Sequence, residues 1–392
     1  MDLTSSVPSA CHIASTRSPF ATLAVDHDAI AHNTALVATT AAVPVMAVVK
    51  ADGFGLGMAQ VARTAVRGGA IALGVATVDE ALSLRSSGIT ARVLAWLVDP
   101  LSDLADAIRL GVELGCSTVT LLEAIVAEAR ALGITARVHL EIDTGLSRSG
   151  ADPGSWERLC RAAAEHERFG AVRVVGIWSH LARANESHPS ATASAVDAFT
   201  DAAVVAAEAG LTPEVLHLAS SGAALAHPST RFSLVRVGQA LFGVQPVDGR
   251  HYPLRPVLRL TSRVVQLRRV PAGTSVSYGG GYRTATETTL ALIPLGYADG
   301  IPRLAGDRAE VMLRGRRCRV VGRVSMDQLI VDAGPVSSDV AEGDEVVLIG
   351  DPDAGEPGLA EWAHWAETIP QEIMTGFGPR VQREHRGAAR VA

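Results

Sequence analysis

"VPVMAVVKADGFGLG" (residues 43–57) sets seven apolar residues against one lysine and follows them with glycines at 53, 55 and 57. An unbroken apolar run of this length, closed by a glycine-rich turn, reads as a strand buried on both faces, the pattern of a parallel sheet. Lys50, at the end of the run, is the single lysine among 35 lysine and arginine residues. The plain reading is a solvated lysine at a strand end. A chain that uses arginine everywhere else suggests a task that arginine cannot do. A desolvated amine can lose its proton and attack a carbonyl, whereas a guanidinium stays charged, so Lys50 points to a Schiff base with an aldehyde cofactor.

The same strand pattern recurs downstream, in ALGVAT (72–77), ARVLAWLV (91–98), ELGCS (113–117), ARVHLEID (136–143), VRVVGIWS (172–179), VLHLAS (215–220) and SLVRVG (233–238). Between these runs lie stretches such as VDEALSLRSSG, TVTLLEAIVAEARALG and SAVDAFTDAAVVAAEAG, with apolar residues at helical spacing and glycines near their ends. Eight such units predict a TIM (β/α)8 barrel, with a doubly wound sheet as the alternative. After Pro246 the texture changes to short strands with turn signals, so a mostly-β C-terminal domain follows. The expected organisation is a loose tail over 1–19, a barrel over 20–248 and a β domain over 249–392.

In a TIM barrel the chemistry collects at the C-terminal ends of the strands. Lys50, Arg148, His180, Ser221, Arg236 and Gly238 all fall at that end of their units. "HLASSGAAL" (217–225) and "RVGQALFG" (236–243) place Ser221, Gly222 and Gly238 at strand-to-helix turns, where free backbone N–H groups can hold a phosphate. Each glycine taken alone reads as an ordinary turn residue. His139 and His217 read as satisfied rim histidines, and Asp143 and Asp299 as turn caps.

A length of 392 residues with 48% hydrophobic content supports a sizeable core. The formal charge of -6 and the lack of a lysine cluster argue against nucleic acid as a partner. No run approaches a membrane span. The four cysteines are far apart and lack CxxC spacing, which indicates neither a disulfide framework nor a metal site and suits a reducing cytoplasm. A small molecule is the expected partner.

The ordered segments "AVVKADGFGLG", "HLEIDTGLSRSG", "GIWSHLARANE", "HLASSGAAL", "RVGQALFG", "SVSYGG", "LGYADGIPR" and "VGRVSMDQLIVDAG" resemble the motifs of the alanine racemase family over roughly residues 20–380. The resemblance implies a barrel-plus-β fold, pyridoxal 5'-phosphate as cofactor and racemisation of a small amino acid. It implies that Lys50 carries the cofactor and acts as base on one face of the substrate, with Tyr278 as base on the other. By the same carry-over Arg236 faces the pyridine nitrogen, His180 supports the tyrosine, and Ser221, Gly238 and Gln239 hold the phosphate. Arg148 and the Met326 N–H hold the substrate carboxylate, while Glu141, Tyr297 and Asp327 support the site. The family also implies a homodimer in which each active site is shared.

The chain departs from the family at three places. Phe54 stands where a tyrosine hydroxyl usually touches the phosphate, and Leu56 where a histidine stands. Gly376 or Phe377 replaces a second tyrosine, and Glu141 a lysine that many members carbamylate; glutamate supplies that negative charge directly. These differences keep open a racemase of serine or a larger amino acid. A decarboxylase of the same fold lacks its expected cysteine here, and a noncatalytic pyridoxal phosphate carrier would lack the β half.

Overall fold

Four of the apolar runs form strands with every residue buried, because the barrel interior covers one face and helices the other. In the computed structural model, which describes residues 19–188, 190, 192–335 and 339–387, the eight barrel strands are Val45–Val48, Ala72–Val75, Arg92–Ala95, Glu113–Cys116, Ala136–Glu141, Val172–Trp178, Val215–His217 and Val235–Val237. They pair in parallel in chain order, and the eighth returns to the first. Backbone bonds from Ser233 N to Leu216 O (3.1 Å) and from Arg236 N to Ala219 O (3.0 Å) link the seventh and eighth units, so the ring closes.

Local chemistry sets the helices between the strands. Helix Val78–Ser86 opens with a capping box: the Glu80 N–H donates to Thr77 Oγ1 at 3.2 Å, and the Thr77 N–H donates to Glu80 Oε2 at 3.3 Å. Helix Pro153–Arg168 starts at proline behind an Asp152 cap. The loose tail expected over 1–19 lies, apart from Pro19, outside the described residues.

The second half is mostly β. It contains a six-stranded sheet, a three-stranded sheet and a two-stranded ribbon. The strand Thr22–Asp26, which precedes the barrel, sits inside the six-stranded sheet. It pairs antiparallel with Leu258–Arg263 and parallel with Gln382–Arg386. Both ends of the described chain are thereby fastened to the β half, and the C-terminal strand runs alongside the turn that follows Lys50.

Candidate active site

Lys50 is held by an unusual piece of backbone. Ala51, Asp52, Gly53 and Phe54 have φ of 53°, 52°, 63° and 57°, a full turn in the left-handed region. Left-handed backbone costs roughly 1–2 kcal/mol for each residue with a Cβ. The surroundings hold the turn in place. Glu80 Oε1 accepts from the Ala51 N–H at 2.6 Å, and Asp52 Oδ1 accepts from the Met58 N–H at 2.8 Å. From the β half, Arg383 Nε donates to Gly55 O at 3.2 Å. The helix Pro370–Thr375 packs so close that a Cβ on Gly55 would stand 2.7 Å from Met374 O.

The Lys50 amine faces a cavity of about 860 Å³ at the C-terminal mouth of the barrel. Among the described residues it makes no hydrogen bond or ion pair. It lies 5.7 Å from the centre of the Trp96 ring, which stands 6.2 Å from Trp178, and the Arg236 guanidinium lies 4.8 Å over Trp178. Gly74 makes room for Trp96, since a Cβ there would come within 2.6 Å of the indole. Burial lowers the Lys50 pKa, and Arg148 lowers it further against a smaller opposing pull from Glu80. Desolvation by an apolar wall and repulsion from a nearby cation are what make an amine a usable base.

Arg236 is buried and donates to five acceptors: His217 Nδ1 (3.0 Å), His217 O (2.8 Å), Ser179 O (2.6 Å), Leu218 O (3.2 Å) and His180 Nδ1 (3.3 Å). Burial lowers its pKa to about 10, with Glu141 opposing and Arg148 adding to the fall, so it remains charged at neutral pH. Burial, with Arg236, Arg148 and Lys50 nearby, brings the His180 pKa down to about 3. His180 is therefore neutral. Because a guanidinium only donates, the His180 Nδ1 must accept, which leaves its one proton on Nε2.

At the other end of the cavity Ser221 Oγ accepts from the Gly238 N–H at 3.1 Å and the Ala240 N–H at 3.4 Å, and Gln239 lines the wall. The Phe54 ring fills the place beside this turn, its Cζ 3.2 Å from where a Cβ on Gly238 would be. Leu56 is buried. Phe377 is also buried and does not line the cavity; Ile369, Gln371, Glu372 and Thr375 reach it from the β half instead.

The fold brings Lys50, Arg148, His180, Ser221, Arg236, Gly238 and Gln239 onto one cavity. Glu141 stands beside it, but its hydrogen bond is to Ser149 Oγ at 2.8 Å, and among the described residues no bond joins it to Arg148. Burial raises its pKa against that bond and the pull of Arg236 and Arg148. Tyr278, Tyr297, Met326 and Asp327 are on the β half and do not line the cavity. Tyr278 is 69% exposed and Met326 52%. Tyr297 and Met326 are neighbours, joined by backbone bonds from Tyr297 N to Ser325 O (3.0 Å) and Ala298 N to Met326 O (2.9 Å), while Asp327 pairs with Arg380 at 2.8 Å. His139 and His217 are not on the rim: both are 0% exposed, inside the barrel. Asp143 and Asp299 cap turns, accepting from Gly145 and Gly296 backbone N–H groups at 2.9 Å.

Sequence reasoning passed over Trp96, Trp178, Glu80 and Gln371. Only Glu80 had a usable signal, three residues after Thr77 in capping-box spacing.

Residues 25–246 match the model of the alanine racemase N-terminal domain, and residues 257–385 that of the C-terminal domain. The chain belongs to the alanine racemase family. It is 46% identical to the alanine racemase of Thermobifida fusca over 95% of this chain and 100% of that protein. Its structure superposes on the crystal structure of alanine racemase from Streptomyces lavendulae, a D-cycloserine producer, with a TM-score of 0.92 at 42% identity, covering 95% and 98% of the two chains. The alanine racemase of Bartonella henselae, solved with covalently bound pyridoxal phosphate, is 28% identical with a TM-score of 0.85 over 94% and 100% of the chains.

Pyridoxal phosphate is the family's cofactor, and the cavity suits it. An amine that has no hydrogen-bond or ion-pair partner among the described residues shares the cavity with Arg236 and the Ser221–Gly238 turn. In addition, the buried Trp178 Nε1, on a residue lining the cavity, has no hydrogen-bond partner among the described residues. A buried unpaired donor costs roughly 1–3 kcal/mol, and an occupant with acceptor oxygens would satisfy it. Among the described residues no helix is long and apolar enough to cross a membrane, and no cluster of side chains could hold a metal ion.

Proposed function

We propose that this chain interconverts L- and D-alanine by a two-base mechanism, with Lys50 on one face of the α-carbon and Tyr278 of the partner subunit on the other. The observation that carries the reading is the single lysine of the chain, desolvated and, among the described residues, without a hydrogen-bond or ion-pair partner, at the mouth of a cavity that suits the cofactor.

When bound, pyridoxal phosphate supplies stabilisation of negative charge at the α-carbon. Lys50 would carry the cofactor, and Ser221, Gly238 and Gln239 would hold its phosphate. Arg148 and the Met326 N–H of the partner subunit hold the substrate carboxylate and so fix the α-hydrogen between the two bases. One base removes the proton and the other delivers a proton to the opposite face; the roles exchange in the reverse direction. Neutral His180 donates its Nε2–H to the Tyr278 oxygen, which favours the ionised phenol. Arg236, still charged at neutral pH, would offer the pyridine nitrogen an N–H that it cannot give up and so would keep that nitrogen unprotonated.

The shared site explains why Tyr278 and Met326 stand exposed and remote from the cavity of their own chain. A C2 homodimer in which each β half caps the other barrel makes two equivalent sites and excludes water from them. Three buried free thiols, Cys116, Cys160 and Cys318, accord with a cytoplasmic setting.

A second reading, racemisation of serine or a larger amino acid, draws support from the cavity wall at Ile369, Gln371, Glu372 and Thr375, where among the described residues the β half sends in no aromatic ring. The test of both is α-proton exchange in deuterated water across the common amino acids, with circular dichroism on the products. Alanine should exchange fastest and reach a racemic mixture. Faster exchange of serine or a larger substrate would replace the first reading with the second, and a cofactor-loaded protein that exchanges no α-proton would refute both.

A further inference from the structure

The inside of a TIM barrel is ordinarily filled by layers of branched apolar side chains. Here one line through it is polar from mouth to base. Arg236 Nη1 meets His217 Nδ1 at 3.0 Å, His217 Nε2 meets His139 Nδ1 at 2.9 Å, and His139 Nε2 meets Glu113 Oε2 at 2.8 Å. All four residues are 4% exposed or less. At the base Glu113 is gripped by Arg92 Nε at 2.9 Å and Arg137 Nε at 3.0 Å.

The line has one direction. A guanidinium cannot accept, so His217 Nδ1 carries the lone pair and its proton is on Nε2; that N–H donates to His139 Nδ1, which leaves the His139 proton on Nε2, aimed at a carboxylate that can only accept. The Arg236 charge at the mouth thus faces a carboxylate across the barrel through two neutral imidazoles. The surrounding fold makes space for the line. A Cβ on Gly176 would stand 2.1 Å from His139 Nδ1, and the pairing of the fifth and sixth barrel strands shifts register between Val138 and His139. The Trp178 ring stacks on His217, 5.9 Å between centres and 3° between planes.

We propose that Glu113, His139 and His217 are positioning residues: a one-directional hydrogen-bond chain that fixes the orientation of Arg236, whose Nη1 and Nη2 are held on acceptors of the barrel and whose Nε–H alone is left, among the described residues, for the cofactor site that it lines. The consequence for chemistry rests on the reading of Arg236 as the partner of the pyridine nitrogen. An Arg236 free to turn away lets that nitrogen take a proton, and the proton meant for the substrate carbon can then be delivered to the cofactor instead. The amino group stays on the cofactor, one water is consumed, and the substrate leaves as its keto acid.

The test has two parts. In cofactor-free protein labelled with nitrogen-15 at histidine, the Nδ1 atoms of His139 and His217 should be unprotonated at neutral pH, with resonances assigned from His139→Gln and His217→Asn. A protonated Nδ1 on either ring overturns the chain without reference to any activity. In loaded enzyme, Glu113→Gln and His217→Asn should raise keto acid formed per racemisation event about tenfold or more, a ratio that does not depend on the fraction of protein folded. A lowered melting temperature with an unchanged ratio would show that these residues only support the barrel. Wild-type protein that does not racemise alanine defeats the functional reading and leaves the histidine result standing.

Discussion

The barrel mouth and the Tyr278 face differ in almost every physical respect. Around Lys50 the groups are buried and their proton positions set by neighbours: His180 is locked as a neutral acceptor toward Arg236, and the left-handed turn is held from three sides. Around Tyr278 the ring is 69% exposed, and the turn carrying it begins at Ser277 with φ 61° and ψ -171°, a region almost confined to glycine. A bond from Ser277 Oγ to Arg323 O, 2.7 Å, and one from the Gly280 N–H to Ser277 O, 3.3 Å, steady that turn. One region is buried and braced, and the other holds an exposed phenol that lines no part of the barrel-mouth cavity of its own chain. Such a division is what the proposed site, assembled from two copies, would require.

The strongest way to break this comparison is subunit mixing. Lys50→Ala and Tyr278→Phe should each lower racemisation about 10²–10⁴-fold, the usual contribution of a positioned proton-transfer group. Random exchange of equal amounts makes half of the dimers mixed, each with one intact site in two, so activity should return to about a quarter of wild type. No recovery, with exchange proven by native mass spectrometry, would mean that Tyr278 serves its own chain.

Acid stability separates the two regions next. His180 has its pKa lowered from 6.5 to about 3, and His27, buried between Thr64 and His385, to about 4. Between those values and 6.5 the unfolded chain binds protons that the folded chain refuses, so stability is full above pH 6.5 and falls with pH below it. For Glu113, burial raises the pKa, but the bonds from His139 and Arg92 outweigh it and lower it from 4.5, so its share is lost below 4.5. The urea midpoint should therefore drop steadily from pH 7 to pH 4, and His180→Asn should flatten that slope. A midpoint independent of pH over this range would refute the buried neutral imidazoles.

The third effect is smaller and tests a contact that the structure redraws. The resemblance has Glu141 supply directly a negative charge to the carboxylate-binding Arg148, whereas the carboxylate bonds Ser149 and acts on Arg148 only through space. Glu141→Gln keeps an acceptor for Ser149 and removes the charge. The apparent KM for alanine should rise several-fold, on the order of 1 kcal/mol for a part-screened charge pair, with cofactor loading unchanged. Unchanged kinetics would leave Glu141 as a strand residue.

What could be read in advance follows from how local each signal is. The eight barrel strands were legible because strands buried on both faces leave continuous apolar runs. The pairing of Thr22–Asp26 with strands more than 230 residues later leaves no mark in its five residues. The left-handed turn was hidden because Ala51, Asp52 and Phe54 adopt it under tertiary pressure, and only Gly53 would choose it unaided. His139 and His217 were misplaced because a histidine inside a barrel looks the same in sequence as one on its rim; Gly176, opposite His139, is the trace that its burial left.

The smallest expected effect concerns the cofactor end of the mouth, where the chain lacks a hydroxyl. The Phe54 Cζ atom, from which a tyrosine oxygen would project, lies beside Gly238, and the ring is steadied by Phe242 at 4.6 Å between centres. Phe54→Tyr would place a donor beside the turn proposed to hold the phosphate without moving the ring. One added hydrogen bond to a charged group is worth about 1.5–3 kcal/mol at best, and nearer 1 kcal/mol once desolvation of the new hydroxyl is counted. Pyridoxal phosphate should then dissociate about fivefold more slowly from the variant, measured by fluorescence after dilution into a phosphate-free trap, while the alanine KM stays within twofold. A variant that binds no tighter would show that Gln239 and Gln371, which meet across this end of the cavity through their side-chain amides, already supply what the missing tyrosines do not.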